Sequence, residues 1–268
     1  MQNKVIIITG ASSGIGKSLA EVFARNGNKV VIAARHIDKL EEVKKGLPNF
    51  AGNILAVTCD VSKEEDCRTL IDETIKTFGG IDVLINNAGI SMRALFSETD
   101  LSVIRKLMDI NFWGTVYCTR FALQHILKSK GSVVGISSIA GKKGLPGRTG
   151  YSASKFAMEG FLEALRIENL KKGLHVLVAC PGFTASNIRN TALSKDGTQQ
   201  GESPRDEASM MKPEEVALLI YRAVEKRKRD LVLTFSGKMT VWLNKFFPSL
   251  MDGVVYKHMA KEEASPFR

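Results

Sequence analysis

Short runs of apolar residues alternate with longer amphipathic stretches along most of the chain. The runs are rich in β-branched residues, and most are apolar throughout, as in strands that are buried on both faces of a parallel sheet. The stretches between them have the length of helices. We predict strands at Lys4–Thr9, Lys29–Ala34, Ile54–Thr58, Asp82–Asn86, Ser132–Ile136, His175–Ala179 and Leu231–Leu233. This alternation predicts one doubly wound α/β domain with a seven-stranded parallel sheet.

Two local signals predict where helices begin. Ser62 followed by Glu65 has the spacing of a capping box, in which the hydroxyl and the carboxylate cap each other's backbone N–H groups. Pro213 precedes two glutamates, and proline in the first turn with acids at the positive end of the helix dipole is typical of a helix start. We therefore expect helices to begin near these two positions.

Two regions depart from the alternation. Residues 186–212 are rich in Ser, Asn, Gln and Thr without a clear period, which is typical of a lid or a disordered loop. From residue 237 onward, large apolar residues recur at helical spacing, and Pro248 must break or kink that helix. We predict a catalytic domain at residues 1–236, including a lid at about 186–212, and an amphipathic helical extension at 237–268.

Composition excludes several classes of protein. The chain has 268 residues, 44% of them hydrophobic, and a formal net charge of +10, which favours acidic ligands, phosphates or anionic lipid. No apolar run approaches the roughly 20 residues of a membrane span, and the residues before Gly10 lack the apolar length of a secretion signal. The four cysteines are widely spaced, so we predict neither disulfides nor a metal site, and we expect a cytoplasmic protein.

A glycine-rich turn directly follows the first predicted strand. Residues 9–16 read TGASSGIG, with GxxxGxG spacing. Glycines allow a tight turn close to a diphosphate, and a helix beginning near Gly14 would direct its free N–H groups and positive dipole at that diphosphate. The turn predicts a dinucleotide site. Its predicted contacts are Gly10, Ser12, Ser13, Gly14, Ile15 and Gly16.

The second predicted strand ends at Arg35. Dinucleotide enzymes that use NAD place an acid here on the ribose 2′-hydroxyl, whereas an arginine suits a 2′-phosphate. No acid follows until Asp38, so we favour NADP(H) over NAD(H). The alternative is that Arg35 merely ends a strand in solvent.

The third and fourth strands also end in candidate cofactor contacts, since ligands sit at the carboxyl ends of parallel strands. Asp60 and Val61 follow the third strand, where Asp60 could bond the exocyclic amine of an adenine or merely lead into the next helix. Asn87, Ala88 and Gly89 follow the fourth strand and are expected to line the cofactor crevice.

Tyr151 and Lys155 lie four residues apart in a predicted helix at Tyr151–Leu170, so they share a helix face. A phenol has a pKa near 10, and a neighbouring ammonium lowers that pKa. Such a phenol can donate a proton to a nascent alkoxide or accept one from an alcohol. The pair alone is common on protein surfaces, and the accompanying motifs give it weight.

Over nearly all of residues 3–235 the chain resembles the short-chain dehydrogenase/reductase family. The resemblance rests on motifs in the family's order: TGASSGIG at 9–16, NNAG at 86–89, Asn111 in a helix, Ser138, YSASK at 151–155, and Pro181 with Gly182. It implies a Rossmann fold and hydride transfer between a nicotinamide cofactor and a carbonyl or alcohol. The family's basic residue inside the glycine turn is replaced here by Ser12 and Ser13.

The resemblance also implies roles for individual residues. Tyr151 would be the acid/base, Lys155 would lower its pKa and bind the nicotinamide ribose, and Ser138 would hold the substrate oxygen. Ser138 is preferred to Ser137 because its spacing to Tyr151 matches the family. Asn111 would position a water that links Lys155 to solvent. The nicotinamide carboxamide would be contacted by Pro181, Gly182 and Thr184.

The extension and one central helix raise the question of partners. The apolar stripe beyond residue 237, flanked by lysines, could pack beside the substrate pocket, form a subunit interface or lie on a membrane surface. A strongly apolar helix predicted at Leu101–Leu127 and the helix carrying Tyr151 commonly form a subunit interface in the family, so the resemblance implies a homodimer or homotetramer. No nucleic-acid-binding motif accompanies the basic charge.

These observations favour an NADP-dependent oxidoreductase that acts on a carbonyl or secondary alcohol of an apolar, small-molecule substrate. A 3-oxoacyl-carrier-protein reductase is the alternative within the enzymes, since a basic surface would suit an acidic carrier, although the apolar extension speaks against it. A catalytically silent dinucleotide-binding protein is the alternative outside them. Retention of Asn111, Ser138, Tyr151 and Lys155 together argues against that reading.

Overall fold

A computed structural model describes residues 1–201, 203 and 210–267. Within these residues the chain forms a sheet of seven parallel strands in the order β3-β2-β1-β4-β5-β6-β7. The strands are β1 Val5–Thr9, β2 Lys29–Ala34, β3 Ile54–Thr58, β4 Val83–Asn86, β5 Ser132–Ile136, β6 His175–Cys180 and β7 Asp230–Val232. The predicted doubly wound α/β fold and the predicted strands are confirmed, with end shifts of one residue.

Helices cover both faces of this sheet. They are α1 Gly14–Arg25, α2 Ile37–Lys45, α3 Glu64–Phe78, α4 Leu101–Leu107, α5 Gly114–Lys128, α6 Thr149–Glu168, α7 Pro213–Glu225, α8 Phe235–Phe246 and α9 Pro248–Ala260. One buried cluster joins the sheet to α1, α2 and α7, and a second joins it to α3, α5 and α6. Because both faces are covered, the strands are apolar throughout.

Three helix predictions need correction. The capping box at Ser62 is wrong: α3 begins at Glu64, and the Ser62 hydroxyl donates instead to Asp60 Oδ1 at 2.8 Å. The helix predicted at Leu101–Leu127 is interrupted by a π-helical turn at Met108–Trp113, between α4 and α5. Helix α6 begins and ends two residues earlier than predicted. The start of α7 at Pro213 is confirmed.

The strand order places β1 beside β4, where the direction of winding reverses. In open parallel sheets, the crevice at the carboxyl ends of these two strands is the usual ligand site. The glycine turn follows β1, and the segment 87–89 follows β4. The turn after β5, which contains Ser138, and the segment after β6 extend the same edge.

The C-terminal extension packs on its own domain, as expected if its apolar stripe lies beside the substrate pocket. Helix α8 begins at Phe235, two residues before the predicted boundary, and Pro248 starts α9. Met251, Val255 and Met259 are buried together, against residues that include Leu145, Leu243 and Phe267. In the described part of the chain, no helix has the length and apolar character needed to cross a bilayer.

Candidate active site

The turn after β1 is shaped for close approach of a ligand to the backbone. Gly10 and Gly14 have φ of +65° and +52°, a conformation that residues with a Cβ rarely adopt. A Cβ on Gly16 would lie 2.2 Å from the Gly10 carbonyl oxygen, so no side chain fits there. The N-cap of α1, Ser13, makes no side-chain capping bond, which leaves first-turn N–H groups for an anion. These features fit a dinucleotide diphosphate.

The segment after β4 fixes this turn. Asn87 Nδ2 donates to the backbone oxygens of Thr9 and Gly10 at 2.8 and 3.1 Å. The Thr9 hydroxyl accepts from the backbone N–H groups of Asn87 and Ala88, both at 3.0 Å. The side chain of Asn87, predicted as a cofactor contact, therefore holds the ends of β1 and β4 together, and sequence reasoning missed the part that Thr9 plays.

Two candidate contacts with the adenosine half of a dinucleotide lie at the ends of β2 and β3. Arg35 is exposed and makes no ion pair with any residue in the described ranges. Asp60 Oδ1 accepts from the backbone and hydroxyl groups of Ser62, at 3.1 and 2.8 Å. Asp60 thus leads into α3, as the second reading of this residue had it, while its predicted contact with adenine stays a prediction. Val61 is buried.

Ser138 and Tyr151 meet at the carboxyl edge of the sheet. Ser138 caps a short 3₁₀ turn, Ile139–Gly141, by accepting from the Ala140 backbone N–H at 3.2 Å. Its hydroxyl lies on the side of Tyr151 and lowers the pKa of that phenol. Ser137 is directed away, since its hydroxyl donates to Glu159 at 2.5 Å. Ser138 is therefore the serine that faces Tyr151.

The expected effect of Lys155 on Tyr151 is not seen in this structure. Burial raises the pKa of Tyr151, while the Ser138 hydroxyl and the charge of Arg148 act in the opposite direction. Lys155 Nζ lies 5.8 Å from the centre of the Tyr151 ring and donates to the Ile136 backbone oxygen at 2.9 Å. The ammonium is thus directed at β5, and Tyr151 is a protonated phenol at neutral pH.

Lys155 itself is buried. Burial lowers its pKa to about 8, and the nearby Glu159 opposes that shift. A Cβ on Gly89 would lie 3.4 Å from Lys155 Nζ, so the segment after β4 passes directly over the ammonium. Lys155 and Gly89, both predicted cofactor contacts, are therefore neighbours at the same edge.

Asn111 lies in the π turn and is fully buried. Its Oδ1 accepts from the Ile90 N–H at 2.8 Å, and its Nδ2 donates to the Ile90 oxygen and to Ser154 Oγ, both at 2.9 Å. These bonds join the segment after β4 to the helix that carries Tyr151. The predicted water at Asn111 remains a prediction, while its side chain has a positioning role that the sequence did not indicate.

Glu159 is a further residue that sequence reasoning missed. It lies four residues after Lys155 on α6, a spacing that could have revealed it. Its carboxylate accepts from Ser137, is paired with Lys142 at 2.6 Å, and lies 3.5 Å from Cys180 Sγ. Glu159 therefore ties α6 to the ends of β5 and β6, beside Ser138 and Pro181.

A cavity of about 740 Å³ opens beside Ser138. Pro181, Gly182 and Phe183 line it after β6, as do residues of α8 and α9. The α9 residues are Met251, Val254, Val255, His258 and Met259. Thr184 is buried, and its hydroxyl donates to the Gly182 oxygen at 3.3 Å. The extension thus forms part of the wall of a mainly apolar chamber that Ser138 also lines.

Comparison with known proteins identifies a matching family and several relatives of this chain. The short chain dehydrogenase family profile matches residues 4–197. Dehydrogenase/reductase SDR family member 7B of Mus musculus is 36% identical over 271 residues, with 99% of this chain and 84% of that protein covered. The 11-beta-hydroxysteroid dehydrogenase A of Sesamum indicum is 36% identical over 258 residues, covering 94% of this chain and 74% of that protein.

Solved structures share the fold at lower identity. A short-chain dehydrogenase/reductase from Burkholderia phymatum in complex with NAD superposes with a TM-score of 0.83 at 23% identity, covering 93% of this chain and 95% of that one. An alcohol dehydrogenase from Thermococcus sibiricus with 5-hydroxy-NADP gives 0.77 at 24%, covering 87% and 96%.

The fold and the site define a doubly wound α/β protein of Rossmann type, with a tyrosine, a lysine and a serine at the carboxyl edge of its sheet. The chain belongs to the short-chain dehydrogenase/reductase family, a family of oxidoreductases.

Proposed function

We propose that this protein is an NADP(H)-dependent oxidoreductase that interconverts a carbonyl and a secondary alcohol on an apolar substrate. The observation that carries the proposal is the placement of Ser138 beside Tyr151, at a large, mainly apolar cavity that Ser138 lines. A chamber of this size accepts a rigid molecule as large as a steroid. The similarity to a plant 11-beta-hydroxysteroid dehydrogenase supports that substrate class.

In the proposed reaction the chain positions the substrate oxygen and moves one proton. When bound, a nicotinamide would supply or accept the hydride at the substrate carbon. Ser138 donates a hydrogen bond to the substrate oxygen, and Tyr151 gives that oxygen a proton in reduction or takes one in oxidation. Lys155 binds the nicotinamide ribose, and Asn111 positions a water that links Lys155 to solvent. The raised pKa of Tyr151 keeps its phenol protonated, as the acid of a reduction must be.

Arg35 carries the preference for NADP(H) in this proposal. Its guanidinium is exposed at the end of β2, with an acidic residue no nearer in sequence than Asp38. A guanidinium can bind the 2′-phosphate with two parallel hydrogen bonds, whereas a carboxylate would repel it. Ser12 and Ser13, at the glycine turn, offer further hydroxyl groups for that phosphate. We also propose that the protein forms a homo-oligomer and that its C-terminal extension contacts membrane surfaces.

The test measures NADPH absorbance with a panel of small ketones, steroid ketones, retinoids and acyl thioesters. We expect turnover of the bulky apolar ketones, and Tyr151→Phe should bind NADPH normally but lose turnover by about 10³-fold. Undiminished turnover in that variant would remove Tyr151 from the mechanism. Preference for carrier-linked acyl thioesters would favour the reductase of fatty acid synthesis, and NADPH binding without any turnover would favour the silent protein.

The cofactor preference is tested separately by Arg35→Asp. The variant should lose about tenfold or more in the ratio of NADPH to NADH affinity, because the new carboxylate repels the 2′-phosphate. Fluorescence titration with each dinucleotide measures this ratio without a substrate. An unchanged ratio would contradict the assignment of Arg35.

A further inference from the structure

Glu262 is a buried carboxylate outside the proton-transfer residues. It follows α9 in the C-terminal segment and is only 5% exposed. Arg148 Nη2 donates to its two oxygens at 3.1 and 2.9 Å, and Arg93 Nε lies 3.5 Å from Oε2. Burial of an unpaired carboxylate costs free energy. The contacts with Arg148 and Arg93 therefore allow the segment that contains Glu262 to pack in this position.

The two arginines belong to parts of the active site. Arg148 immediately precedes α6 and lies three residues before Tyr151. Arg93 lies in the segment after β4. Its backbone N–H donates to the Leu193 backbone oxygen at 2.9 Å, and its backbone oxygen accepts from Gln200 Nε2 at 3.0 Å. One carboxylate therefore connects the start of the catalytic helix, the segment after β4 and, through Arg93, residues 193–200.

Glu262 also belongs to the wall of the cavity, together with the buried face of α9. The segment lies directly on the turn before α6, because a Cβ on Gly147 would come within 3.3 Å of Pro266. A second ion pair joins Lys143 to Asp252, but the Asp252 side chain is 72% exposed, so water and salt weaken it. Glu262 is therefore the buried electrostatic anchor of this wall.

We propose that Glu262 is a specificity-determining positioning residue, whose ion pairs with Arg148 and Arg93 hold residues 248–267 against the catalytic helix and thereby fix the substrate cavity. In this arrangement the extension is a fixed wall. Without the carboxylate, the largely buried guanidinium groups of Arg148 and Arg93 lose the negative charge that Glu262 supplies, and the segment separates from the domain. The specificity part rests on the proposed function, while the positioning part does not.

The test compares Glu262→Gln with Glu263→Gln, a matched control one residue away whose side chain is exposed. Hydrogen exchange of residues 248–267 is measured in the full-length protein, with α7 as the internal reference. In Glu262→Gln we expect exchange of this segment to accelerate about tenfold while α7 is unchanged. The KM for a steroid ketone should rise about tenfold, with kcat and the KM for a small ketone within about twofold.

Exchange in Glu262→Gln equal to that in Glu263→Gln overturns the proposal, whatever the substrate. Faster exchange with an unchanged KM for the bulky ketone overturns the specificity role. If the wild-type protein turns over no ketone, the proposed function has failed and the exchange comparison alone decides the positioning role. If Glu262→Gln does not fold, Glu262→Asp, which keeps the charge, replaces it: partial acceleration supports the proposal, and equality with the control overturns it.

Discussion

At the scale of single residues, the candidate site contains a buried ammonium group, that of Lys155. Lys155 is 3% exposed, and its ammonium donates to one backbone oxygen of β5. Burial lowers its pKa to about 8, so the folded protein releases this proton more readily than the unfolded chain does. A charge held at such a cost is typical of a functional group, and its stability effect can be measured apart from activity.

We predict that Lys155 makes the protein more stable as pH rises from 8 to 10. In this range the unfolded chain, in which a lysine titrates near 10.4, binds more protons than the folded state, so the free energy of unfolding increases. Urea unfolding of the wild type should gain about 2 kcal/mol relative to Lys155→Met over this range. Parallel pH curves for the two proteins would contradict the lowered pKa of Lys155.

At the scale of elements, most of the sheet could be predicted because apolar, β-branched runs are sufficient to define buried parallel strands. The predicted cap of α3 failed because Asp60, two residues before Ser62, takes the serine hydroxyl. The π turn around Asn111 could not be predicted, since one extra residue in a helix scarcely changes its apolar pattern. The pairing of Arg148 with Glu262 joins residues far apart in the chain, which no local pattern reveals.

The outer face of helices α8 and α9 has no partner among the described residues. Their inner side packs on the domain, while Phe235, Trp242, Phe246 and Leu250 are more than half exposed. Lys238, Lys245 and Lys257 lie on the same helices. Aromatic residues beside lysines are typical of helices that lie in the headgroup region of anionic membranes.

We predict that this outer face binds vesicles containing anionic lipid. Replacing Trp242, Phe246 and Leu250 with serine should weaken vesicle binding at least tenfold, since full burial of even one large apolar side chain contributes about 1.5 kcal/mol of transfer free energy. The matched control replaces Phe96, Leu101 and Ile167, which are also exposed but lie elsewhere. Equal sedimentation of the two triple variants would show that α8 and α9 do not contact lipid.

At the scale of the whole molecule, a second apolar surface lies on α5 and α6. Trp113, at the end of the π turn, stacks on Tyr117 with ring centres 5.6 Å apart, and Phe112 packs edge-on against Phe161. Trp113 and Phe156 are 42% and 47% exposed. Exposed and half-buried aromatic residues on the π turn, α5 and α6 are typical of a subunit interface.

We therefore predict that the protein self-associates through α5 and α6, as the resemblance to its family implies. A twofold axis would place the same aromatic patch of two copies face to face, and two such patches would build a dimer or, with a second interface, a tetramer. Light scattering after size exclusion should give a multiple of the chain mass for the wild type. Trp113→Asp with Phe156→Asp should give a monomer, because a buried unpaired carboxylate at each position opposes association, whereas Phe96→Asp should not. A wild-type monomer, or an unchanged mass in the double variant, would exclude this surface as the interface.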